Sequence, residues 1–180
     1  NEILADPDAS SGDANGDGTI STDNDEFVEI VNSGNTELDI TGWKLADADQ
    51  DRFTFPDPTV LQPNQPVVVF DGGDPTGFFG GALVFTAGEL SLNNTNEDVI
   101  LKNASNAEIT KISYGSEGGD NQALTRDTDL TGTFVKHTTL TSGLEFSPGT
   151  KNDGTNFGTF LNLTGNEGFR LLSIPTTSTS

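Results

Sequence analysis

The chain has no cysteine and no methionine, and only one histidine, one tryptophan and one tyrosine among 180 residues. Without cysteine there can be no disulfide, no thiolate metal site and no cysteine nucleophile. A lone His137 excludes a zinc site built from several imidazoles. No Gly-X-Ser-X-Gly elbow is present for His137 to serve, so its expected role is structural. Basic residues are also scarce. Eight Lys and Arg face 28 Asp and Glu, leaving a formal charge of −20. Such a surface cannot track a phosphate backbone, which argues against nucleic-acid partners, and it is equally unsuited to an anionic bilayer. No apolar run approaches the length of a membrane span, so membrane insertion is not expected. No phosphate loop or dinucleotide fingerprint appears.

What is present points to an all-β chain of one domain. There are twelve Phe to build a core, 21 Gly and 8 Pro to punctuate it, and abundant Asn, Asp, Ser and Thr. No stretch shows a helical period; short apolar or alternating runs recur between turn clusters, as in sandwiches and barrels. The runs predict strands over Glu2–Ala5, Glu26–Asn32, Leu38–Ile40, Trp43–Ala46, Arg52–Phe55, Pro66–Phe70, Leu83–Thr86, Val99–Asn103, Glu108–Tyr114, Ala123–Arg126 and Phe134–His137. The turn at Asn103-Ala104-Ser105-Asn106 makes a hairpin of the two strands beside it. From Thr138 to Gly158 the pattern dissolves into Thr, Ser, Gly and Asn, which predicts irregular chain packed over a sandwich. Trp43, inside an apolar run, is expected in the core, and Gly42 before it to permit a bend.

The acids are unevenly spread, with eleven in residues 1–43 and no Lys or Arg there. Within that stretch Asp13-Ala14-Asn15-Gly16-Asp17-Gly18 places side-chain oxygens at positions one, three and five and a glycine at six. This is the first half of an EF-hand-type calcium loop. Gly18 would take the positive φ of the sharp bend, Thr19 would offer its main-chain carbonyl, and Ile20 would anchor the loop to the core. The twelfth position, where a bidentate Glu is expected, is Asn24. Asp25 and Glu26 follow at once, with Asp23 just before, and the segment beyond reads as strand. The candidate ligands for Ca2+ are therefore Asp13, Asn15, Asp17, Thr19, Asp25 and Glu26, in a loop without flanking helices.

Weaker acidic groupings accompany it. Asp47-Ala48-Asp49-Gln50-Asp51 repeats the oxygen spacing, but Arg52 stands in the glycine's place, which favours a solvated acidic loop. Asp71-Gly72-Gly73-Asp74 and Asp127-Thr128-Asp129 read as turns. Glu2 and Glu29 flank the Asp-rich segment. They read either as contributors to the base of the metal site or as exposed members of alternating strands.

Several phrases together resemble the lamin tail domain, as found in secreted and surface proteins of bacteria. They are Asn1-Glu2-Ile3, Glu26-Phe27-Val28-Glu29-Ile30-Val31-Asn32, Gly42-Trp43-Lys44-Leu45, Val60-Leu61-Gln62-Pro63-Asn64-Gln65-Pro66-Val67-Val68-Val69-Phe70 and Ser147-Pro148-Gly149-Thr150. The resemblance spans about residues 1 to 160. It departs at Asn64, where the family favours Gly, and in the Asp-rich insertion. It implies an immunoglobulin-like β-sandwich, here with an extended Asp-rich loop between the first two strands, and no catalytic residues. The expectation is a monomeric, non-enzymatic module at 1–163, with 164–180 as linker or the start of a following domain. It would sit in a secreted or surface bacterial protein. Its partners would be other domains of the same longer chain, or a protein or carbohydrate ligand if it serves in adhesion. The chain opens at Asn1 with no leader, which reads as a mature chain or a piece of a longer one.

Overall fold

The computed structural model describes residues 1–160, so the expected linker or following domain at 164–180 lies outside the described residues. Twelve strands alternate with turns: β1 (Glu2–Leu4), β2 (Phe27–Val31), β3 (Leu38–Asp39), β4 (Lys44–Ala46), β5 (Asp51–Thr54), β6 (Val60–Leu61), β7 (Pro66–Phe70), β8 (Leu83–Thr86), β9 (Glu97–Lys102), β10 (Glu108–Tyr114), β11 (Leu124–Arg126) and β12 (Phe134–Lys136). Every predicted strand is found within a residue or two of its expected ends. Only the two-residue β6 was unforeseen: Val60-Leu61 is too short to show a period. The only helical pieces among the described residues are single 3-10 turns at Ser116–Gly119 and His137–Thr139.

The strands form an immunoglobulin-like sandwich. One sheet runs β12-β11-β1-β2-β7-β8, the other β10-β9-β4-β5, with β3-β6 as a small ribbon. All neighbours are antiparallel except β7 and β8, whose parallel pairing requires the crossover 71–82. Ile3, Val28, Leu45, Val67, Val69, Leu101 and Leu124 meet between the two sheets. Phe53, Phe55 and Phe85 close one flank, with ring centroids 5.1 to 6.1 Å apart.

The larger sheet has a second buried face. Leu4, Phe27, Val68 and Phe70 point away from the sandwich interior and pack under Ala14, Phe79, Ala82 and Ala123. Irregular chain lays this third layer over the sheet, and of the residues after Thr138, Phe146 packs against it. The arrangement explains why all five residues of β7 are buried: a strand covered on both faces reads as a continuous apolar run. Phe27 and Phe70 are fully buried, 5.5 Å apart edge to face, and each contributes about 1.5–3 kcal/mol through burial.

Two expectations are corrected here. Trp43 is half-buried against the inter-sheet core rather than inside it, because Gly42 (φ +71°) and the bond from Trp43 N–H to Ile40 O turn the chain at the sandwich rim. Asp47 is buried, not solvated. Its Oδ1 accepts from the N–H groups of Asp49 and Gln50, and its Oδ2 meets Arg52 Nε at 2.6 Å. The arginine that replaces the glycine is thus the partner that permits burial. Asn64, in place of the family's Gly, still adopts φ +61°, a region that Asn tolerates better than most residues.

Candidate functional site

The β1–β2 connection leaves the sheet at Leu4 and returns at Phe27, which pair with each other. The loop between is bound to the fold by Ala14, which sits in the outer core, and by buried Asn15 and Asp25. Ile20, expected as an anchor, is 42% exposed, and Ala14 takes that role. Gly16 and Gly18 both have positive φ, +69° and +85°, which gives the chain its two sharp reversals.

Each oxygen side chain of the loop organises the turn that follows it. Asp13 Oδ2 accepts from Gly18 N–H at 3.0 Å, Asn15 Oδ1 from Asp17 N–H at 2.9 Å, and Asp17 Oδ1 from Thr19 N–H at 2.7 Å. Asp25 closes the loop from its far end. One of its oxygens accepts from Asn15 N–H and the other from Ser21 N–H, each at 2.9 Å. Burial, and beyond it the negative charges of Asp13 and Asp17, push the Asp25 carboxyl above its ordinary value, against the pull of those two N–H groups. The hydrogen bonds from Asp74 and Thr19 hold Asp17 below its own. The structure therefore brings Asp13, Asn15, Asp17 and Asp25 into one turn.

Glu26 is not part of it. Its Oε2 accepts from Leu92 N–H at 3.0 Å on the neighbouring segment, and burial raises the carboxyl to about 8. Thr19 is exposed and gives its N–H to Asp17. Among the described residues no three His, Asp or Glu side chains are already arranged to enclose a metal ion. The loop's carboxylates hold loop N–H groups instead. One oxygen is different: Asp13 Oδ1 is buried and has no hydrogen-bond partner.

Sequence reasoning missed the wall of this site. The turn after β7, Asp71-Gly72-Gly73-Asp74, and the residues beyond it lie directly against the loop. Asp74 N–H donates to Asp17 Oδ2 at 3.1 Å, and the N–H groups of Thr76 and Gly77 donate to Asn15 O. Thr76 Oγ1 donates to Gly16 O at 2.7 Å. A Cβ at Gly73 would lie 2.3 Å from Asn15 Nδ2 and 2.7 Å from Asp17 Oδ2. The paired glycines were the available signal, since only a chain without side chains approaches this closely.

Glu2 and Glu29 belong to neither expected role. They face each other across β1 and β2 on the outer side of the sheet, buried to 0% and 1% exposure. Both hold the Ser147-Pro148-Gly149-Thr150 segment. Glu2 accepts from Ser147 N–H at 2.7 Å and from its Oγ at 2.6 Å, while Glu29 accepts from Gly149 N–H at 2.7 Å and Asn1 Nδ2 at 3.0 Å. Burial raises both carboxyls above the usual range. His137 Nε2 lies 3.0 Å from Ser147 Oγ, and burial lowers its pKa. A serine, a histidine and a carboxylate thus meet, with Glu2 Oε2 accepting the hydrogen bond of Ser147 Oγ and lying 3.7 Å from His137 Nε2. Ser147 is 4% exposed and His137 fully buried, so the cluster is a clasp and has no room for a substrate.

A family model of the lamin tail domain matches residues 1–116, which include the Asp-rich loop and stop short of the clasped segment. No curated protein matches the chain.

Proposed function

The match spans more than half of the chain, which therefore belongs to the lamin tail domain family of structural immunoglobulin-like domains; from that premise we propose that it is a non-enzymatic module of a secreted or surface bacterial protein whose Asp-rich loop is ordered by calcium. Asp13, Asn15, Asp17 and Asp25 are the side chains that would hold the ion, with the Thr19 main-chain carbonyl completing the set. The observation that carries this reading is Asp13 Oδ1, a buried carboxylate oxygen with no partner beside two other acids. An oxygen in that position is costly when empty and favourable against a hard cation. The remaining carboxylate oxygens hold N–H groups yet keep a second lone pair each, so the loop's hydrogen bonds and an ion are compatible. What calcium supplies is stability: it binds the native loop and scarcely binds the unfolded chain.

Hydrogen exchange tests this by position. Calcium should slow exchange most at residues 13–25 and at the 71–77 turn that abuts them, beyond the uniform slowing that a general gain in stability brings to core strands such as Glu2–Leu4. Equal exchange with calcium and with a chelator would reject the reading.

The alternative is an adhesion domain holding a protein or carbohydrate at its loops. One observation favours it: Phe78, on the same 71–82 crossover, is 80% exposed. Catalysis has no comparable support, since the one Ser–His–carboxylate cluster is sealed.

A further inference from the structure

The flank of the sandwich opposite the Phe53, Phe55 and Phe85 cluster is not closed. A cleft of about 420 Å³ runs between the sheets there. Ile30 of β2 and Phe134 of β12 form one wall, Leu101 of β9 and Ile112 of β10 the other, with Trp43 at the rim. Protein interiors are otherwise packed to crystal density, and this volume lies within the roughly 300–1,000 Å³ of small-molecule sites.

The cleft also contains a cation without an acidic partner, which among the described Lys and Arg side chains is otherwise true only of Lys151. Lys44 and Lys102 pair with Asp51, Arg52 with Asp47, Lys111 with Asp98 and Lys136 with Asp120. Arg126, which lines the cleft, has no acid within ion-pair distance among the described residues. Its guanidinium lies 4.7 Å over the Phe134 ring and donates one N–H to Gly132 O. The neighbouring Asp129 is engaged elsewhere, its Oδ1 accepting from Asn152 N–H and Asn1 Nδ2. The Glu29 carboxylate is held at the outer face by Gly149. In a chain of −20, a guanidinium fixed by an aromatic face at an apolar cleft, and left without an acid, is complementary to a ligand with one anionic group.

We propose that this cleft binds an apolar carboxylate of the medium-chain fatty-acid class, its alkyl body between the sheets and its carboxylate on Arg126. Arg suits the task because its planar fork meets a carboxylate with two parallel hydrogen bonds. The site is independent of the calcium reading: it lies along Val28–Gly34, whereas the Asp-rich loop joins β2 at its other end.

Decanoate is the probe, titrated into the full chain below its micellar concentration. Emission of Trp43, the chain's single Trp, and calorimetry are the readouts. Binding should saturate at one ligand per chain and exceed that of decanol about tenfold, the scale of a hydrogen bond to a charged group. Affinity should rise about fourfold per methylene from hexanoate upward. Arg126→Gln should bring decanoate down to the level of decanol while decanol binding persists, which reports an intact cleft. Arg126→Lys should retain part of the preference for the carboxylate. Ile112→Trp, which fills the cleft, should abolish both ligands while the melting transition remains cooperative. Absence of saturable binding, an Arg126→Gln variant that still prefers the carboxylate, or an Ile112→Trp variant that still binds would each overturn the proposal.

Discussion

The β1–β2 hairpin carries two groups of acids that fold by opposite means. At its open end Asp13, Asp17 and Asp25 crowd into a turn and leave one oxygen unmatched. Two residues down the same pair of strands, Glu2 and Glu29 are sealed beneath residues 147–150 with their oxygens matched to Ser147, Gly149 and Asn1. In the proposed function a cation would complete the first cluster; the second is stabilised by hydrogen bonds and by burial's preference for the protonated form. Acidic residues close in sequence and joined by one ladder are therefore not one site. What separates them is whether the surrounding backbone supplies enough N–H groups.

Removing a partner from the sealed cluster should have the largest effect. Glu2→Ala leaves the Ser147 N–H and hydroxyl buried without an acceptor and should cost about 3 kcal/mol or more in a urea titration. A loss below about 1 kcal/mol would mean that residues 147–150 detach freely and that Glu2 is no clasp. Next is the wall of the loop. Gly73→Ala places a methyl within 2.7 Å of Asn15 and Asp17 at φ +76° and should destabilise by about 2 kcal/mol. A neutral result would separate the 71–77 turn from the Asp-rich loop.

Proton linkage distinguishes the clusters by sign. Glu2, Glu29 and Glu26 have folded values raised above the ordinary one, Glu26 to about 8. The native state thus binds more protons than the unfolded chain between the ordinary and the raised values. Stability contributed by these groups is full below the ordinary value and lost as pH rises through the raised one, at up to about 1.4 kcal/mol per pH unit for each group. The melting temperature should fall from about pH 5 to about pH 9, and Glu29→Gln should flatten the slope. Calcium binding should show the opposite trend, since its carboxylates must be ionised. The smallest effect is expected for Asp13→Ala in a chelator, where loss of one exposed hydrogen bond to Gly18 is offset by removal of the unpaired Oδ1, for a net change below about 1 kcal/mol in either direction.

Much of the fold was legible because short apolar or alternating runs bounded by turn clusters mark the strands: Pro66–Phe70, Leu83–Thr86 and Glu108–Tyr114 match their predicted ends. The second buried face was written in parity but not read. Leu4 and Phe27 share the outward parity of Glu2 and Glu29, and apolar residues on a supposedly solvated face announce a covering layer. The clasp itself had no local signal, since Ser147 lies 145 residues from Glu2. The loop's one-three-five spacing singled out Asp13, Asn15 and Asp17, which the structure gathers into one turn. Its far end divided in a way spacing cannot show: Asp25 turns into the loop, while Glu26, the next residue along the emerging strand, turns to the other side and meets Leu92.

The most direct test of the calcium reading is calorimetric titration of calcium into the full chain at constant ionic strength, paired with melting in sodium chloride of the same strength. One binding event per chain is expected, lost in Asp13→Ala and Asp17→Ala, with a stability gain of about 2.7 kcal/mol at one hundred times the dissociation constant that sodium chloride does not reproduce. Absence of binding heat, with a melting shift that sodium chloride matches in full by screening, would contradict it and leave the loop a self-bonded acidic turn.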